Sequence, residues 1–129
     1  MAECEWAVIC DYAFLDSQGK ACIIGIFDGI YAKAVPVIHR QATLVVQLRG
    51  APREAVSVRI EIVRPNGGGL TKVEGHGELS PTGVAGLQLR LGPMNLPDYG
   101  QYSCNIAVND QQSYVARFDV RKPPTSGVN

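Results

Sequence analysis

Between Val56 and Val63, Val56, Val58, Ile60 and Ile62 alternate with Ser57, Arg59 and Glu61. Successive side chains on a strand point to opposite faces, so this spacing puts one face in a core and the other in water. The same period of two returns in Leu87, Leu89 and Leu91, which alternate with Gln88 and Arg90. It also predicts a first strand over about Trp6–Phe14, with Trp6, Val8, Cys10, Tyr12 and Phe14 sharing the core face. Residues Ala21–Phe27 are almost continuously apolar, which predicts a strand buried on both faces or central to its sheet. Further strands are expected over about Gln41–Leu48, Leu70–Leu79, Gln101–Val108 and Tyr114–Val120, and a short resumption at Ile30–Ala32. No segment of ten or more residues carries a helical period.

Turn chemistry separates these runs. Asp16–Lys20, Arg64–Gly69, Ser80–Gly83, Gly92–Pro93 and Asn109–Gln112 supply the Gly, Pro, Asn, Asp and Ser residues that turns require. Many short strands at this spacing point to an all-β sandwich or barrel. Residues 1–121 are read as one domain, and residues 122–129 as a flexible tail with nothing to pack.

At 129 residues and 46 % hydrophobic content the chain can bury a core without staples. Twelve basic residues balance twelve acidic ones, and only 19 % of residues are charged. Such a surface exerts no long-range pull on phosphate backbones or anionic lipid, so neither nucleic acid nor membrane is expected as a partner. It also lacks the mutual repulsion that keeps copies apart, which favours self-association. Glu3 and Glu5 stand where a secretory signal carries basic residues, and no apolar signal core follows. A cytoplasmic location is expected, and a virion component would look the same. Cys4, Cys10, Cys22 and Cys104 match no Cys-x-x-Cys spacing and read as free thiols, mostly small core residues, with Cys4 alone at the surface.

The segment Asp98-Tyr99-Gly100-Gln101-Tyr102-Ser103-Cys104 is similar to the Asp-x-Gly-x-Tyr-x-Cys signature of immunoglobulin domains. In that family the Tyr hydroxyl bonds back to upstream backbone, a tyrosine corner. The resemblance makes Asp98, Gly100, Tyr102 and Cys104 a structural corner. It does not extend to the inter-sheet disulfide, since the single Trp, Trp6, precedes every candidate partner of Cys104 except Cys4. The expected fold class is thus a two-sheet antiparallel sandwich of immunoglobulin-like architecture. A wider resemblance is carried by Cys10–Ala13, Gly25–Ile30 leading to Pro36, Arg64–Gly67, and Leu96-Pro97 before Gly100–Tyr102. On these stretches the chain resembles a family of short bacterial proteins of unknown function with an immunoglobulin-like β-sandwich. The resemblance implies a bacterial or phage origin and transfers no catalytic residue.

Reactive chemistry finds little support. Asn66–Gly69 lacks the following helix and the Lys-Ser/Thr pair of a phosphate loop and reads as a hairpin turn. Cys4, Cys10, Cys22, His39 and His76 lack the close ligand pairs of structural zinc sites, so no metal or other cofactor is expected, and both histidines read as solvated turn or edge residues. Asp11 and Asp28 are the nearest approach to an acid–base pair, and Arg49, Arg53, Arg59 and Arg64 to a basic patch diluted by Glu54 and Glu61. The expectation is a non-enzymatic binding or assembly module that docks protein through a sheet face or edge, a homodimer with a second copy being the simplest version. The alternatives are a structural decoration of a phage or other large particle, and a small-molecule-binding or hydrolytic sandwich.

Overall fold

Eleven strands form in a computed structural model that describes residues 1–124. They are β1 (Glu3–Leu15), β2 (Ala21–Ile26), β3 (Gly29–Tyr31), β4 (Val37–His39), β5 (Thr43–Arg49), β6 (Ala55–Val63), β7 (Gly69–Glu78), β8 (Val84–Arg90), β9 (Met94–Leu96), β10 (Gly100–Val108) and β11 (Gln111–Arg121). One sheet has the order β2-β1-β5-β8, the second β3-β11-β10-β6-β7, and β4 pairs with β9 in a small third ladder. All pairings are antiparallel except β3 with β11. The two large sheets face each other as an immunoglobulin-like sandwich. No helix among the described residues is long and apolar enough to cross a membrane.

The core lies between the sheets. Val56, Val58, Ile60 and Ile62 of β6 are buried, as their alternation predicts. Beside them lie Tyr102, Cys104, Ile106 and Val108 of β10 and Ala116, Phe118 and Val120 of β11. The opposing sheet contributes Leu44, Val46 and Leu48 of β5, with Leu87 and Leu89 of β8 packed against them. Turns close as their residues demand. The Asp16 carboxylate accepts from the amides of Gln18 (2.8 Å) and Lys20 (2.9 Å), while Gly19 takes a φ of 79°. The Arg64–Gly69 segment is a hairpin in which the Gly67 amide donates to the Arg64 carbonyl at 2.9 Å.

Several expectations need correction. In β1 the core face is Cys4, Ala7 and Ile9, not Trp6, Val8, Tyr12 and Phe14. The cause is a bulge: Cys4 pairs with Leu48 and Trp6 with Gln47, so one extra residue shifts the alternation by one. Cys10 is buried, but outside the main core. Residues Ala21–Ile26 are neither central nor doubly buried; β2 is an edge strand with Ile24 and Ile26 exposed. Gln111 and Gln112 belong to β11, because Asn109 and Asp110 alone make the turn with φ of 51° and 66°. Of the expected tail, residues 125–129 lie outside the described residues; Lys122 sets its ammonium 5.7 Å from the centre of the Tyr99 ring.

The β1–β2 hairpin leaves the plane of its sheet. Trp6 near one end of β1 and Leu15 at the other line one depression of about 500 Å³, together with Gly19, Ala21, Val45, Gln47 and the β8 segment 84–88. A straight strand would separate Trp6 from Leu15 by about 30 Å. The hairpin therefore bends back across the outer face of the four-stranded sheet. The bend explains why Val45, on that outer face beside Val8, is buried. At the elbow the Cys10 thiol donates to the Tyr12 carbonyl at 3.2 Å, and Gly25 takes a φ of 73° with the Asp11 carboxylate against it.

Candidate functional site

The residues singled out by sequence fall into separate places. Asp98, Gly100 and Tyr102 meet at the corner, and Cys104 follows in β10 as a buried core residue. The Tyr102 hydroxyl accepts from the Asp98 amide at 2.9 Å and donates to the Asp98 carbonyl at 3.0 Å, closing the corner over four residues. Gly100 has a φ of 120°, a region L side chains rarely enter, and the Pro65 ring lies where a Cβ would go. The Asp98 carboxylate accepts from the Arg64 guanidinium at 2.8 Å. Burial pushes the Tyr102 phenol up. This corner is scaffold: every polar atom named in it is occupied by a neighbour.

The thiols and imidazoles do not converge. Among the described residues no three His, Cys, Asp or Glu side chains are placed to hold a metal ion. Cys4, expected at the surface, is buried, and that burial pushes its thiol up to about 11. Burial likewise pushes Cys104 up to about 12 and raises Cys10. A thiolate is the nucleophilic form, so burial disfavours the reactive state of all three. Cys22 is the half-buried one. His39 is not a solvated turn residue; it sits in β4 with its ring edge-on to Phe27 at 5.4 Å, and its Nε2 is buried without a partner. His76 is exposed on the edge strand β7, whose regular pairing runs through Gly75 and Gly77. Arg49, Arg59 and Arg64 each meet an acid, at 2.7 Å from Glu5, 3.3 Å from Asp110 and 2.8 Å from Asp98, which leaves no basic stripe from them.

What sequence reasoning missed is a surface. On the bent hairpin, Tyr12 pairs with Ile24, Phe14 with Cys22, and Cys10 with Ile26. Cross-strand partners share a face, so Tyr12, Phe14, Cys22, Ile24 and Ile26 form one apolar side of a two-stranded arm. Tyr12, Phe14, Ile24 and Ile26 are 48–63 % exposed, and Leu15 at the tip is 63 % exposed. Ala13 and Ile23, on the other side of the arm, are half-buried. The signal was present in the sequence as the apolar run Ala21–Phe27. Its meaning was inverted, because composition does not say whether a layer covers a strand.

A second apolar region opens between β7 and β8, where the two sheets end in edge strands. A groove of about 260 Å³ runs there over Val56, Val58, Ile60, Leu87 and Leu89. Gly75 and Gly77 pair with the inward-facing Val58 and Val56, and a Cβ at either glycine would meet nothing within 4 Å. Two missing side chains hold the groove open. Gly77→Val is expected to stabilise the fold by about 1 kcal/mol, since it adds apolar burial and removes glycine's backbone entropy at a position where a Cβ meets nothing within 4 Å. A thermal melt should rise by roughly 3–5 °C; a fall would show that the groove does not accept a side chain.

Residues 5–121 match a family of unknown function, DUF6941. The chain belongs to this family. No curated protein matches it. Among solved structures it is similar to an alkylpurine DNA glycosylase, AlkC, of Pseudomonas fluorescens bound to DNA containing an abasic site analog (14 % identity, TM-score 0.52), covering 89 % of this chain and 30 % of that one. It is similar to a β-D-glucoside glucohydrolase of Trichoderma reesei at 7 % identity and TM-score 0.53, covering 93 % of this chain and 19 % of that one. An immunoglobulin-like protein of Pseudomonas aeruginosa aligns at 14 % identity and TM-score 0.44, over 94 % of this chain and 97 % of that one. The chain spans less than a third of the glycosylase and less than a fifth of the glucohydrolase. At these identities the likeness to the glycosylase and the glucohydrolase is one of fold alone.

Proposed function

We propose that this DUF6941 chain is a non-enzymatic, cytoplasmic binding or assembly module that docks protein through the β1–β2 arm. The observation that supports it most is the uncovered apolar face of Tyr12, Phe14, Ile24 and Ile26. A two-stranded ribbon is marginal alone in water, and an apolar face on it left unpacked is destabilising unless a partner covers it. The arm offers a face rather than an edge. Gly25, with its positive φ, interrupts the regular β2 backbone between Ile24 and Ile26, which works against addition of another strand there.

The test immobilises the wild-type chain and an Ile24→Lys variant as baits in lysate of the source cell. Circular dichroism and a melt first establish that both are equally folded. The wild type is expected to retain protein that the variant does not. Equal retention by both would remove the arm as a docking surface. Retention of virion proteins in particular would turn the reading toward a structural decoration of a particle.

A further inference from the structure

Resting on the docking reading, we infer that the arm's apolar face is the contact between two copies of this chain, packed face to face about a twofold axis. A twofold contact joins a patch to itself, so any charge near the axis would meet its own sign. Tyr12, Phe14, Cys22, Ile24 and Ile26 carry none, and the chain as a whole carries a formal net charge of zero. Nothing on this face opposes its own copy at short range, and nothing in the chain opposes it at long range. The polar groups lie off the face. Asp11 is turned against Gly25 on the other side of the arm, and Asp16 is engaged by amides of the turn.

The area is also of the right order. A half-exposed aromatic or branched side chain leaves on the order of 100 Å² open, so Tyr12, Phe14, Ile24 and Ile26 present about 400 Å² of apolar surface per copy. Two such faces with a polar rim reach about 1,200 Å², where specific interfaces begin. That places the contact at the small end of stable dimers, with a dissociation constant of roughly micromolar order. Aromatic side chains at the centre of a patch free of charges match the composition of interface cores. Sheet faces stack about 10 Å apart, a spacing at which Phe14 and Tyr12 of one copy interdigitate with Ile24 and Ile26 of the other.

Light scattering on the purified chain, coupled to size exclusion across a hundredfold range of loading, tests this directly. The expected result is a mass that rises from one chain to two. Ile24→Lys should weaken association at least ~30-fold, the effect of losing a central contact residue. Ile38→Lys, which alters a 57 % exposed residue on β4, should leave it unchanged. Cys22 gives a local readout, because it is the one thiol among the four that is not buried. Its alkylation by a maleimide should slow as protein concentration rises. A wild-type chain that stays monomeric throughout overturns the second copy, and so does a dimer indifferent to Ile24→Lys. If the monomer nevertheless retains another protein through Ile24 in the bait experiment, the docking arm survives with a different occupant.

Discussion

Replacing Phe118 by alanine will lower unfolding stability by about 3–5 kcal/mol and the melting temperature by some 10–20 °C. Phe118 is fully buried in β11 and stacks on Tyr102 with ring centroids 5.2 Å apart and planes within 7°. Phe27, on the segment joining β2 to β3, meets it edge-on at 6.5 Å. Truncation removes both contacts and leaves a cavity between rigid strands, which relax only in part. Urea unfolding followed by fluorescence measures the loss, and an unchanged m-value would show that the unfolded state is not responsible. A loss below about 1 kcal/mol would mean that Phe118 does not fill the centre of the sandwich.

Tyr102→Phe tests a different force at nearly constant volume. The ring and its stack on Phe118 remain, while the hydroxyl that serves both the amide and the carbonyl of Asp98 is lost. Two backbone groups at a partly buried corner are then left without their partner, at a cost of about 2 kcal/mol. The measurement is again urea unfolding. A neutral result would show that Gly100 and its neighbours set the bend without the phenol. The comparison of the two variants separates packing from hydrogen bonding within one stacked pair.

The arm also bears on how this chain behaves in solution. An apolar ribbon with a face open to water is also an aggregation hazard, because β2 is an edge strand without charge or proline between Ala21 and Ile26. The positive φ of Gly25 interrupts that edge.

Much of the architecture was legible in the order of residues. The alternation of β6 and β10 specified which side chains enter the core, since a period of two leaves no choice once one face is apolar. The corner at Tyr102 was legible too, because a glycine, a phenol and their spacing act locally. The arm was not. Whether Trp6 or Ala7 faces inward depends on a bulge opposite β5, a pairing between residues about forty positions apart. Whether Ile24 is buried depends on which layer covers β2, and an apolar run reads alike on a central strand and on an uncovered edge. Local periodicity determined the long strands, the turns and most of the core of this protein, but not the short β4–β9 ladder. Long-range pairing decided which apolar face was left open to water, because burial is a property of the assembled layers and not of any one segment.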